Sequence, residues 1–144
     1  MTKLKKNRSA QYPLVAEFTF NITDTMVDVN GVEKAFKATA VVVDPIALPP
    51  NAVVIGGDVT VETVSDESGT ATIKVGDSTT DNRYLGATTI KSAACTALVP
   101  TGYRGTGQDI RVTLANQNGD ATAGKVSVRV EYIISGRANE TQYS

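Results

Sequence analysis

The sequence predicts an all-β fold, an antiparallel β-sandwich of jelly-roll-like form, on three observations. Apolar and polar residues alternate strictly in several segments, 18 valines and 19 threonines make up a quarter of the 144 residues, and Gly, Asn and Pro turn signals recur at short intervals. Successive side chains of a strand point to opposite faces, so alternation marks a strand with one face turned to a core. β-Branched side chains are stiff at χ1 in the way that suits a pleated sheet. No segment carries a helical period, and no repeat of fixed length points to a solenoid or propeller.

Residues 1–11 are basic and polar, with charges at Lys3, Lys5, Lys6 and Arg8, and read as an extended N-terminal arm. Tyr12 and Pro13 lead into a strand over 14–22 whose core face is Leu14, Ala16, Phe18, Phe20 and Ile22. Asn30-Gly31 places a tight turn in a short hairpin near 26–35. Phe36, Ala38, Ala40 and Val42 line one face of a second strand over 35–43, stopped by Asp44-Pro45. Leu48-Pro49-Pro50-Asn51 forms an extended corner at which the chain changes sheets.

Beyond the corner, 52–55 and 58–64 make one long strand bent by a bulge at Gly56-Gly57. Asp66-Glu67-Ser68-Gly69 turns it into a strand over 70–75, and the two are expected to pair as an antiparallel hairpin. A polar loop fills 76–82, a brief element follows at 83–85, and 86–93 is too small and polar to assign. A strand near 95–99 ends at Pro100, 103–107 is loop, 109–114 is a strand and 116–119 turns. Gly124 opens the last strand, with Val126, Val128, Val130 and Tyr132 on one face and Lys125, Ser127, Arg129 and Glu131 on the other. Seven to nine strands result, in one domain over 12–136 with a short polar C-terminal tail over 137–144. Such a domain buries roughly 68–70% of its unfolded surface and needs neither metal nor disulfide to fold.

The chain has no histidine and one cysteine, which removes Ser-His and Cys-His catalysis and leaves too few nitrogen and sulfur ligands for zinc. No phosphate-binding loop or dinucleotide fingerprint is present, and Gly102 to Gly107 reads as a flexible turn between strands. Asp58 and Glu62 share a strand face at the ~5–10 Å that glycoside hydrolysis uses, a spacing that ordinary surface pairs also meet. The 77–82 loop offers oxygen ligands but not the spaced carboxylates of a calcium site. Cys95, in a bland apolar stretch, reads as a buried, inert thiol, and Tyr84 and Tyr103 as possible contributors to a contact surface. No catalytic residue, cofactor or metal is therefore expected. No apolar run approaches the ~20 residues of a membrane helix, and the basic N-terminus lacks the apolar segment of a secretion signal.

Net charge is −1, but the arm holds +4, leaving −5 for the rest. Engaging duplex phosphates with four charges would give a salt slope of roughly −3.6, with no aromatic neighbours to stack on bases. A solvated tail and a protein-docking arm are the stronger readings. Extended, eleven residues reach about 36–40 Å, enough to cross onto a neighbouring subunit.

The segments 57–64, 70–77, Asp81-Asn82-Arg83-Tyr84-Leu85, Thr101-Gly102 and 124–137, in that order, resemble head decoration, or cement, proteins of tailed double-stranded DNA bacteriophages. The resemblance covers roughly residues 52–140. It implies a jelly-roll-like protein without catalytic residues, made in the host cytoplasm, that docks on the outer capsid surface and clamps major capsid protein subunits. It also implies a homo-oligomer, a dimer before a trimer. The residues expected to make the contacts are Lys3, Lys5, Lys6, Arg8 and Tyr12 at one end and Arg137 and Tyr143 at the other. The alternative is a tail, fibre or adhesin-like β domain that binds a host glycan.

Overall fold

A computed structural model describes residues 12–115 and 117–136, and every regular element among them is a strand. The strands are β1 (Leu14–Asn21), β2 (Thr25–Val27), β3 (Glu33–Ala35), β4 (Ala40–Ile46), β5 (Ala52–Thr63), β6 (Thr72–Gly76), β7 (Leu85–Thr89), β8 (Cys95–Ala97), β9 (Ile110–Ala115) and β10 (Lys125–Ile134). Two four-stranded antiparallel sheets, ordered β1-β10-β5-β8 and β4-β9-β6-β7, form the sandwich, and β2-β3 is a separate hairpin.

Without that hairpin, the eight remaining strands pair first with last, second with seventh, third with sixth and fourth with fifth. This is one long hairpin folded over so that its arms alternate between two sheets, which is the jelly roll. The nesting has a direct consequence for the chain ends. Leu14 lies opposite Tyr132, so the segments before β1 and after β10 leave from the same end of the sandwich.

Alternating strand residues fill the core. Phe20, Ile22, Val126, Val128 and Val130 are buried from one sheet, and Val41, Val43, Ile73, Val75, Val112 and Leu114 from the other. Phe36 is buried although it lies outside any strand, and its ring stacks on Phe20 with centroids 4.3 Å apart. Buried Gln117 fixes that segment by donating from Nε2 to the carbonyls of Phe36, at 2.8 Å, and Ala38, at 3.1 Å.

The bend expected at Gly56-Gly57 is present. Glu131 opposes Gly56 and Tyr132 opposes Val54, leaving Ile55 as the extra residue of a bulge. Gly57 has φ of 129°, and a Cβ there would sit 2.1 Å from the Arg129 carbonyl oxygen.

Several expectations are corrected. β5 and β6 do not pair: β5 lies between β10 and β8, and β6 lies between β9 and β7 in the other sheet. The second strand begins only at Ala40 and runs through Asp44-Pro45, with Val41 and Val43 inward in place of Ala40 and Val42. Proline is tolerated because β4 is an edge strand whose register slips between Val43 and Ile46. The segment too polar to assign holds all of β7 but its first residue, Leu85, and the described residues form ten strands. Cys95 is exposed on the short edge strand β8. It should therefore react with an aromatic disulfide reagent to the same extent in native buffer as in guanidinium. Protection in the native state would contradict the placement of β8.

The end opposite the chain termini is closed by carboxylates. The loops 64–71 and 117–124 cross there, and Asp66 accepts the Thr122 N–H at 2.7 Å, the Ala123 N–H at 3.1 Å and the Thr122 hydroxyl. Asp120 accepts the Ser68 N–H at 3.2 Å, and buried Glu67 accepts the Asn118 N–H at 2.6 Å. The Thr122 hydroxyl, then the Ala123 and Thr122 amides, lower the Asp66 carboxyl from 3.8 to about 2. A depressed folded-state pKa gives stability that is present above the unfolded value and is lost as pH falls toward the folded one. Asp66→Asn should thus lower the thermal midpoint above pH 4, and its curve should meet that of the parent near pH 2. A midpoint difference that persists unchanged below pH 2 would assign the loss to packing.

Candidate docking surface

The outer face of the β1-β10-β5-β8 sheet collects the polar sides of its strands, and its half nearer the carboxylate loops is satisfied within the face. Arg129 donates to Asp58 at 3.2 Å and to the Thr60 hydroxyl at 3.1 Å. Lys125 lies 3.3 Å from Glu62, and Ser127 donates to the other Glu62 oxygen at 2.7 Å while lying 2.9 Å from the Thr19 hydroxyl. The Ser127 hydroxyl, then Lys125, hold the Glu62 carboxyl below its ordinary value. This is the opposite of what a general acid requires. Asp58 is likewise engaged by Arg129, so the pair that met the glycosidase spacing forms two separate cross-strand ion pairs.

The polar 77–82 loop is organised by its own first residue. Asp77 is 3% exposed and accepts the N–H groups of Thr79, at 2.9 Å, and Thr80, at 2.8 Å. Arg83 donates to its other oxygen at 2.6 Å, and the guanidinium lies 3.6 Å from the centroid of the Tyr103 ring. The carboxylate that would lead a calcium site is thus consumed by the loop. Among the described residues, no group of three or more His, Cys, Asp or Glu could hold a metal ion. Tyr84 is buried, which removes it from any contact surface, and burial raises its hydroxyl pKa.

Of the residues expected from sequence to make partner contacts, Tyr12 is 89% exposed immediately before β1. Lys3, Lys5, Lys6, Arg8, Arg137 and Tyr143 lie outside the described residues. The described chain starts at Tyr12 and ends at Gly136, just outside β1 and β10 at the same end of the sheet. Sequence reasoning missed two groups of exposed apolar residues. One is Val27, Val29 and Val32 around the β2-β3 turn, and the other includes Val15 and Ile55 near the chain ends. Alternation could have signalled Val15, because it falls on the polar side of β1.

No protein-family model and no curated protein sequence matches the chain. In fold it is similar to a chain of the cyanophage Pam1 capsid asymmetric unit, with a TM-score of 0.64 and 22% identity, over 91% of this chain and 92% of that one. It is also similar to a chain of the acidic-stable capsid structure of Helicobacter pylori bacteriophage KHP30, with a TM-score of 0.60 and 20% identity, over 85% and 87% of the two chains. A chain in the capsid of Ralstonia phage GP4 superposes with a TM-score of 0.58 and 14% identity, over 92% and 90%. What the four share is the jelly-roll fold, matched along most of each chain.

Proposed function

We propose that the chain is a structural protein of a bacteriophage virion that docks on the outside of the capsid and stabilises contacts between major capsid subunits. The observation that carries this reading is the fold similarity to chains of three phage capsid structures, over 85% or more of every chain compared. The segment order that resembles phage decoration proteins supports the same reading independently. The chemistry agrees with a role without catalysis, since Asp58, Glu62 and Asp77 are each paired with a basic side chain.

In this reading the domain over 12–136 supplies a rigid body, and the arm over 1–11 and tail over 137–144 extend its contacts. Lys3, Lys5, Lys6, Arg8, Tyr12, Arg137 and Tyr143 touch the major capsid protein. Weak contacts from the arm and the tail become effectively intramolecular once the body has docked, so modest patches add up to firm attachment. The protein acts as a homo-oligomer, a dimer before a trimer, and takes no cofactor.

Co-sedimentation with mature phage heads assembled in its absence tests the proposal. Saturable binding at tens to hundreds of copies per particle is expected, and replacing Lys3, Lys5, Lys6 and Arg8 together by alanine should weaken it and flatten its salt dependence. Equal binding by both chains would keep the role and remove the arm. Binding to host glycans with none to heads would favour the fibre reading.

A further inference from the structure

We infer that the end of the β1-β10-β5-β8 outer face nearest the chain termini is the surface by which the body docks, and that it fits a protein footprint apolar around a central donor. The inference rests on the capsid-binding reading above. Along this face the strands change character. Toward the carboxylate loops the outward residues are Glu17, Thr19, Ser127, Thr60 and the paired Asp58, Arg129, Glu62 and Lys125. Toward the chain ends they become Val15, Ile133, Val53 and the bulged Ile55 around Glu131, with exposed Arg104 opposite Val53 at the rim. The register sets their arrangement: Val15 opposes Glu131, Glu131 opposes Gly56, and Ile133 opposes Val53.

Val15 is 63% exposed and Ile55 is 38% exposed. Ile55 shares the face of Val53, two residues earlier, and the bulge leaves it without a Cα partner on β10. An apolar residue on the solvent side of a strand is ordinary singly; a cluster that replaces a polar ladder across three neighbouring strands is an interaction surface.

The position of the chain ends says what covers it. Residues 1–11 precede Tyr12 and 137–144 follow Gly136, so both segments begin at the edge of this patch. The arm carries +4 where the remainder of the chain carries −5. A partner that receives the patch therefore also receives the basic arm, and is acidic within the arm's reach. Glu131 excludes a second copy in a two-fold contact centred on the patch, because the axis would bring Glu131 against its own mate. The matching partner offers a lysine, arginine or amide opposite that carboxylate.

The full-length chain, sedimented with phage heads assembled without it, tests this surface. Val15→Asp and Ile55→Asp should each weaken binding about tenfold or more, the effect of losing a well-packed interface anchor. Glu131→Lys should weaken it similarly. Val64→Asp and Val32→Asp, which place the same charge on exposed valines at the loop end and on the β2-β3 hairpin, should bind like the parent. Each variant is compared at an unchanged thermal midpoint, and Ile55→Asp decides the matter if Val15→Asp does not fold.

Parental binding by both Val15→Asp and Ile55→Asp, with the unmodified chain still saturating heads, would overturn this surface and leave the capsid role standing. So would loss of binding in Val32→Asp alone. Conversion of an oligomer to monomer by Val15→Asp, seen by sedimentation velocity, would reassign the patch to self-association and overturn the inference. Failure of the unmodified chain to bind would remove the capsid role and this surface with it.

Discussion

Gly57→Ala is expected to destabilise the fold by about 3–5 kcal/mol, combining strain at a backbone conformation that L-residues rarely adopt with overpacking against a neighbouring strand. Gly57 has φ of 129°, and the added Cβ would lie 2.1 Å from the Arg129 carbonyl oxygen and 3.0 Å from the Val130 Cα. Both contacts are main chain in the central strand β10, so no rotamer change relieves them; β5 or β10 has to move. The movement would be centred on the bulge at Ile55, so the site of the strain is next to the proposed docking surface. Gly86→Ala provides the matched control. A Cβ at Gly86 meets nothing within 4 Å, and its substitution should stay within about 0.5 kcal/mol of the parent. Urea unfolding of the two variants reads the difference directly. A Gly57→Ala cost near that of Gly86→Ala would mean that β5 and β10 separate easily there, and that the bulge is not a rigid platform.

How much of this was legible in the sequence depended on the kind of information each residue carries. Alternation in β1 and β10 identifies the buried side at Phe20, Val126, Val128 and Val130, which contrast sharply with their polar neighbours, but it fails at Leu14, which is 41% exposed at the start of β1, and at Ser127, which is buried on the polar side of β10. The same period is silent about partners. β5 and β6 are joined by a short polar segment, as the arms of a hairpin would be, yet they belong to opposite sheets. The information that separates them is tertiary: Asp66 and Glu67 are held by amides of residues 118, 122 and 123, remote in sequence.

Cys95 was misplaced for a different reason. In a three-residue edge strand among alanine and threonine, neither side is apolar enough to reveal which one faces the core. Pro45 looked like a terminator and is an edge residue at a register slip. The basic arm is obvious from charge, but that the start of β1 lies beside the end of β10 follows only from the nested pairing that places Leu14 opposite Tyr132. The apolar end of the outer face was hidden until the bulge at Ile55 and the β1-β10-β5 register assembled it from three distant segments.

Asp77→Ala is expected to cost about 3–5 kcal/mol, the range for removing one partner of a buried, hydrogen-bonded ion pair. The carboxylate gathers four bonds into one loop: two backbone amides, from Thr79 and Thr80, and two guanidinium contacts from Arg83, at 2.6 and 3.5 Å. Truncation would leave the Arg83 side chain, only 16% exposed, without its counter-charge. The stacking of Arg83 on Tyr103 remains, but a cation–π contact of about 0.5–2 kcal/mol does not replace a charged hydrogen-bonded pair. Asp77→Asn keeps an oxygen for the amides and loses the charge, so it should fall between parent and Asp77→Ala. The ordering separates two roles for the residue. If Asp77→Asn is nearly as stable as the parent, the loop is held by its turn geometry; if it matches Asp77→Ala, the ion pair with Arg83 carries the stability. A cost below about 1 kcal/mol for Asp77→Ala, the level of an exposed pair, would show that solvent reaches Arg83 and that this loop is not part of the rigid body.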